Sequence, residues 1–126
     1  MNHGRIKSAS ICLFNDGYPA PITGIARAVE VHGFDGLFLP ENTHMPITRR
    51  QNLEFDDTRL RALAGFYDPF VALSAAAAVT DRISLGMSVC LLTHRDVLIT
   101  AKAAASLDQI SGGRLILGVA GGLIAE

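Results

Sequence analysis

The chain has 126 residues, 49% of them hydrophobic, a mean hydropathy of +0.31 and a formal net charge of -1. That length suits one domain around one core, and the balanced charge excludes the basic stripe of a nucleic-acid groove. No apolar run reaches the ~18 residues of a membrane helix, and the opening Met1-Asn-His-Gly-Arg-Ile-Lys7 lacks the apolar segment of a signal peptide, so a cytoplasmic protein is expected.

The first predicted strand is Ala9–Phe14, ended by the turn residues Asn15-Asp16-Gly17. A helix is expected from Pro21, where proline's missing N–H costs nothing, with Ile22, Ile25, Ala26 and Val29 on one face. Gly33 suits its C-terminal end. The second strand is Gly36–Leu39, closed by Pro40. A long segment, about residues 41–67, follows; loops of that length inside a compact domain are usually functional or mobile. It carries Glu41, His44, Arg49, Arg50, Arg59 and Arg61, with a short helix expected around Asp57–Leu63 and the four arginines read as a solvated lid.

Asp68-Pro69 predicts a capped helix reaching about Val79, whose Ala75–Ala78 run permits close packing. The third strand is Ile83–Leu92, containing Gly86. Asp96 caps a helix over Val97–Ile110, which Gly112-Gly113 ends, and the fourth strand is Arg114–Val119, running into Gly121-Gly122. Cys12 and Cys90 both fall in apolar strands and are expected to be inert core thiols.

Strand–helix alternation of this kind winds a parallel sheet, and four strands with three helices make half of an eight-stranded barrel: an α/β fold, (βα)3β, in a single partial domain over residues 1–126. A flavodoxin-like sheet ordered 2-1-3-4 is the weaker alternative, since no phosphate loop follows the first strand. Ligands of parallel sheets bind at the carboxyl ends of the strands. There lie Glu41, Asn42 and His44 after the second strand, Thr93, His94, Arg95 and Asp96 after the third, and Gly121 and Gly122 after the fourth. His44 is the best catalytic candidate, because imidazole moves protons near neutral pH; Glu41 would orient it, act as a second acid, or pair with a loop arginine. The His94-Arg95-Asp96 run either serves a ligand or, at Asp96, simply caps the helix. Rossmann, P-loop and nucleophile-elbow motifs are absent from the sequence, and His44 with Glu41 lacks the further ligands of a metal site.

Three blocks resemble the bacterial luciferase-like oxidoreductases: Gly33-Phe-Asp-Gly-Leu-Phe-Leu-Pro-Glu-Asn-Thr-His44, Tyr67–Leu73 with Thr80–Leu92, and Leu107–Val119. The resemblance implies a flavin or deazaflavin ring at the mouth of a (β/α)8 barrel. It places Ser88 and Val89 at a bulge supporting that ring, often through a cis peptide bond, with Gly86 easing backbone approach and Gly121 and Gly122 at the rim. His44 matches the position facing substrate and ring. The implied cofactor is 5-deazaflavin (coenzyme F-420) or FMN, and the implied chemistry is hydride transfer or monooxygenation of a small-molecule substrate. Leu123 departs from the aromatic residue usual after the glycine pair. Strands five to eight, which largely hold the cofactor's phosphate tail in the family, are not in this sequence; if this chain is all there is, cofactor affinity is expected to be weak or nil. The alternative is a non-catalytic half-barrel that acts as an oligomerising scaffold or fragment. Either way, open strand edges predict a homodimer or higher homo-oligomer.

Overall fold

A computed structural model describes residues 8–13, 20–44 and 65–122. The expected turn at Asn15–Gly17, the short helix near Asp57–Leu63, the loop arginines and Leu123 lie outside those residues. Among the described residues, four strands, β1 (Ser10–Cys12), β2 (Gly36–Leu39), β3 (Ser84–Leu91) and β4 (Leu115–Ala120), alternate with three helices, α1 (Ile22–Val31), α2 (Pro69–Ala77) and α3 (Val97–Ser111). The strands form one sheet in the order β1-β2-β3-β4, every pair parallel. That is the (βα)3β half of a (β/α)8 barrel. Its sequential order rules out the flavodoxin-like 2-1-3-4 arrangement.

Local chemistry accounts for the element boundaries. Pro21 precedes the first turn of α1. The Asp68 carboxylate accepts the Val71 N–H at 3.0 Å, and Pro69 opens α2. Asp96 does the same for α3 through the Ile99 N–H at 2.9 Å, and Gly112 closes that helix with φ 69°, a left-handed conformation that glycine adopts without steric cost.

α1 packs on α2 and α2 on α3, so the helices form one layer on one face of the sheet. Registered positions Ile11, Leu37, Leu85 and Leu115 point into that layer, joined by Leu39 and Met87 and met by Ala26, Val29, Leu73, Ala76 and Leu107. Fully burying a leucine-sized side chain in this way contributes about 1.5–3 kcal/mol. The period of two turns the intervening residues Cys12, Phe38, Gly86 and Ile116 to the opposite face. This corrects one expectation: Cys12 is exposed, because it shares that face with Ser10, whereas Cys90 is buried.

The amino-terminal edge of the sheet is tied together by side chains bonded to backbone. Glu30, near the end of α1, accepts the N–H groups of Asp81, Arg82 and Ile83 at 3.0, 2.7 and 3.2 Å. Asp35 accepts the Ala9 N–H at 2.7 Å. Arg114 donates to the carbonyls of Ala77, Thr80, Ile83 and Ser111 and to the Thr80 hydroxyl. Glu30, Asp35 and Arg114 therefore serve the fold at this rim.

Candidate functional site at the carboxyl ends of the strands

At the other edge, β3 and β4 fall out of step. Met87 pairs with Leu117 and Cys90 with Val119, so Ser88 and Val89 together oppose Gly118. This is a β-bulge, and the peptide bond between Ser88 and Val89 is cis. Ser88 is exposed and Val89 half-buried. Gly118 is the partner this bulge requires: a Cβ there would stand 2.5 Å from the Met87 carbonyl oxygen. Gly118 was not singled out from sequence, although a glycine inside an apolar strand is a recognised sign of a bulge or close backbone approach. Gly86 answers to a different neighbour, since its missing Cβ makes room for the Phe38 ring, whose Cε1 lies 2.1 Å from where that atom would be.

His44 stands on the same rim as the bulge. Its imidazole lies with the His94 ring, centroids 5.1 Å apart and planes at 35°. Thr43 joins the two: its hydroxyl is 2.9 Å from His44 Nδ1 and 3.4 Å from His94 Nδ1. His94 ends a 3-10 turn, Leu92–His94, that continues β3. Beyond it lies Gly122, with φ 90°, where a Cβ would come within 3.4 Å of His94 Nε2. The Thr93 hydroxyl donates to the Gly121 carbonyl at 2.6 Å, tying the ends of β3 and β4. Thus His44, His94, Gly121 and Gly122, from three different strand ends, meet at one place. The pairing of His94 with His44 was not legible in the sequence, because nothing in the spacing of residues 44 and 94 announces it.

Glu41 is placed differently from His44. It is buried at 5% exposure, one carboxylate oxygen accepts the Leu91 N–H at 2.7 Å, and the other takes the guanidinium of Arg95. Arg95 reaches on to Asp68 at 2.6 Å and lies 4.9 Å over the Phe70 ring. The Glu41–Arg95–Asp68 chain thereby fixes the ends of β2 and β3 to the start of α2. Burial by itself would raise the Asp68 pKa; the hydrogen bond and charge of Arg95 and the Val71 N–H outweigh it and hold the carboxyl below its ordinary range. Beneath, burial and the Glu41 charge push the Cys90 thiol up to about 11, which keeps it protonated and unreactive.

Taken by chemistry, the rim offers imidazole nitrogens, a serine hydroxyl, an irregular backbone at the bulge and two glycines without side chains. Such a surface suits a flat polar ring lying against backbone, with a proton-handling group at its margin. Among the described residues, no three His, Cys, Asp or Glu side chains converge as a metal set would. No helix among them is long and apolar enough to cross a membrane.

Comparison with known proteins identifies the family of the chain. The family model described as luciferase-like monooxygenase matches residues 5–125. An uncharacterised protein of Mycobacterium tuberculosis is 41% identical over 101 residues, which is 75% of this chain and 34% of that protein. A putative coenzyme F420-dependent oxidoreductase of the same organism is 36% identical over 87 residues, 69% of this chain and 25% of its own length. Among solved structures, the coenzyme F420 dependent tetrahydromethanopterin reductase of Methanopyrus kandleri superposes with a TM-score of 0.65 and 28% identity, covering 89% of this chain and 26% of that one. The chain thus spans about a third or less of the length of the proteins it matches.

Proposed function

Because the chain belongs to the luciferase-like monooxygenase family, we propose that it supplies the ring-facing lip of a deazaflavin-dependent oxidoreductase acting on a small-molecule substrate. One observation carries this reading: His44, the Ser88–Val89 bulge and the Gly121–Gly122 pair occupy the same end of one parallel sheet. Support for the deazaflavin, coenzyme F420, over FMN comes from the two relatives whose names include it.

In this reading Ser88, Val89, Gly121 and Gly122 form the surface against which the ring lies, and Gly86 with Phe38 forms its floor. When bound, the deazaflavin supplies hydride transfer. His44 holds or delivers a proton at the substrate oxygen, a task suited to imidazole and worth ~10²–10⁴-fold in rate. Glu41, saturated by Leu91 and Arg95, positions the strand ends rather than exchanging protons.

Fluorescence titration tests the reading. Coenzyme F420 is expected to show a saturable change on addition of the protein, and FMN a weaker one. No change up to high micromolar protein would overturn it.

A second reading is favoured by a separate observation. Ile116, Leu117 and Val119 on the edge strand β4 are 46%, 40% and 52% exposed. An apolar strand at an open edge invites association, so a half-barrel acting as an oligomerising scaffold is the alternative. Either reading includes a homo-oligomer, and a monodisperse monomer by light scattering would contradict that part of both.

A further inference from the structure

We propose that Glu41 and Thr93 are positioning residues for the Gly121–Gly122 pair, joined to it through the 3-10 turn Leu92–His94. The buried Glu41 carboxylate grips this turn at both ends. One oxygen accepts the Leu91 N–H at 2.7 Å, just before the turn, and the other holds the guanidinium of Arg95, just after it. The Arg95 N–H returns to the Leu92 carbonyl at 3.4 Å and closes the turn. Thr93, at its middle, is thereby held from the end of β2. Its hydroxyl donates at 2.6 Å to the Gly121 carbonyl, at the end of β4.

That last bond sets an orientation as well as a distance. The Gly121 carbonyl and the Gly122 N–H belong to one planar peptide, so whatever fixes the oxygen fixes the N–H. Among the described residues only the Ser88–Val89 bond is cis, so this peptide is trans and the Gly122 N–H points away from the Thr93 hydroxyl. Gly122 sits at φ 90°, and glycine takes either sign of φ about as readily. Sterics therefore leave the orientation of the peptide open, and the Thr93 hydroxyl closes the choice. Glu41 thus acts on a backbone donor two strands away, through a turn that it holds and a hydroxyl that the turn carries. That the glycine pair faces a ring rests on the oxidoreductase reading above; the coupling from Glu41 to Gly122 does not.

The first test needs no cofactor. Backbone ¹⁵N–¹H correlation spectra report the glycine amides, with Gly33, Gly112 and Gly113 at the opposite edge of the sheet as internal controls. Thr93→Val should shift the Gly121 and Gly122 amides and leave the controls in place, and Thr93→Ser should restore them. Glu41→Gln should shift the same two amides; Arg95→Lys takes its place if that variant does not fold. In the Thr93→Val background neither change should move Gly122 further. Unmoved Gly121 and Gly122 amides in Thr93→Val, controls that shift as far as the pair, or a Glu41 effect that survives in Thr93→Val would each overturn the coupling. With coenzyme F420, Thr93→Val should weaken the dissociation constant about fivefold, and Thr93→Ser should recover it. An unchanged constant in Thr93→Val would overturn the role toward the ring while the amide result stands. Absence of binding by the unmodified protein would instead defeat the oxidoreductase reading and leave the coupling intact.

Discussion

The guanidinium of Arg95 closes over the carboxylate of Glu41, whose side chain is 1% exposed, and joins it to Asp68 on the next helix. Two residues 54 positions apart in sequence thus weld the end of β2 to the end of β3. Breaking such a buried pair leaves a charge without its partner, which costs about 3–5 kcal/mol. Arg95→Ala is expected to lose that much stability in denaturant unfolding. The double variant Glu41→Leu with Arg95→Met removes both charges together and should lose markedly less than the sum of its single changes. Simple additivity in that cycle would mean that the pair contributes nothing as a pair.

Acid should act through carboxylates whose pKa values are depressed in the fold. Glu30 is held below its ordinary 4.5 by the Arg82 N–H first, with the Ile83 and Asp81 N–H groups adding to it against a smaller burial effect. Asp68 is likewise held below 3.8. A depressed carboxylate gives stability that is present above the unfolded pKa and lost as pH falls through the folded one. The loss should therefore fall below about pH 4, and both groups are exposed enough that solvent screening keeps each contribution small. Asp68→Asn retains a helix-capping side chain without the charge. Its melting temperature should fall less steeply with acid than that of the unmodified protein; parallel curves would exclude a role for Asp68.

Two glycines should respond differently to alanine. At Gly118 the added methyl meets the Met87 carbonyl oxygen, which is backbone, and at Gly86 it meets the Phe38 side chain. Overpacking of this kind costs ~1–3 kcal/mol. Gly86→Ala should be partly rescued by Phe38→Ala, whereas no side-chain truncation should rescue Gly118→Ala. Equal rescue at both positions, read from urea midpoints, would contradict the packing described for the bulge.

The two cysteines should differ in reactivity. Cys12 is exposed, while Cys90 is buried with its thiol raised to about 11. An aromatic disulfide reagent at mildly alkaline pH should modify one thiol in the native protein and the second only after denaturation. Cys12→Ser should abolish the fast reaction.

The sheet, its strand order and the helix caps were legible because each rests on local chemistry: Asp68 before Pro69, Asp96 before Val97, glycines at the helix ends, and apolar runs of strand length. The resemblance added the Ser88–Val89 step, where the bulge and the cis bond are found. What escaped the sequence was every relationship between distant side chains. Glu41 meets Arg95, and His44 meets His94, across strands whose register no spacing reveals. Cys12 was misplaced for another reason. An apolar strand reads as buried on both faces, and β1 packs only its Ile11 side against the helices.

Arg114, Glu30 and Asp35 hold the far edge of the sheet by bonds to main-chain atoms, independent of what stands on the histidine side. Variation at positions 43, 44 and 94 is thereby uncoupled from the foundations of the domain. A diversified library at those three sites should keep most of its members folded.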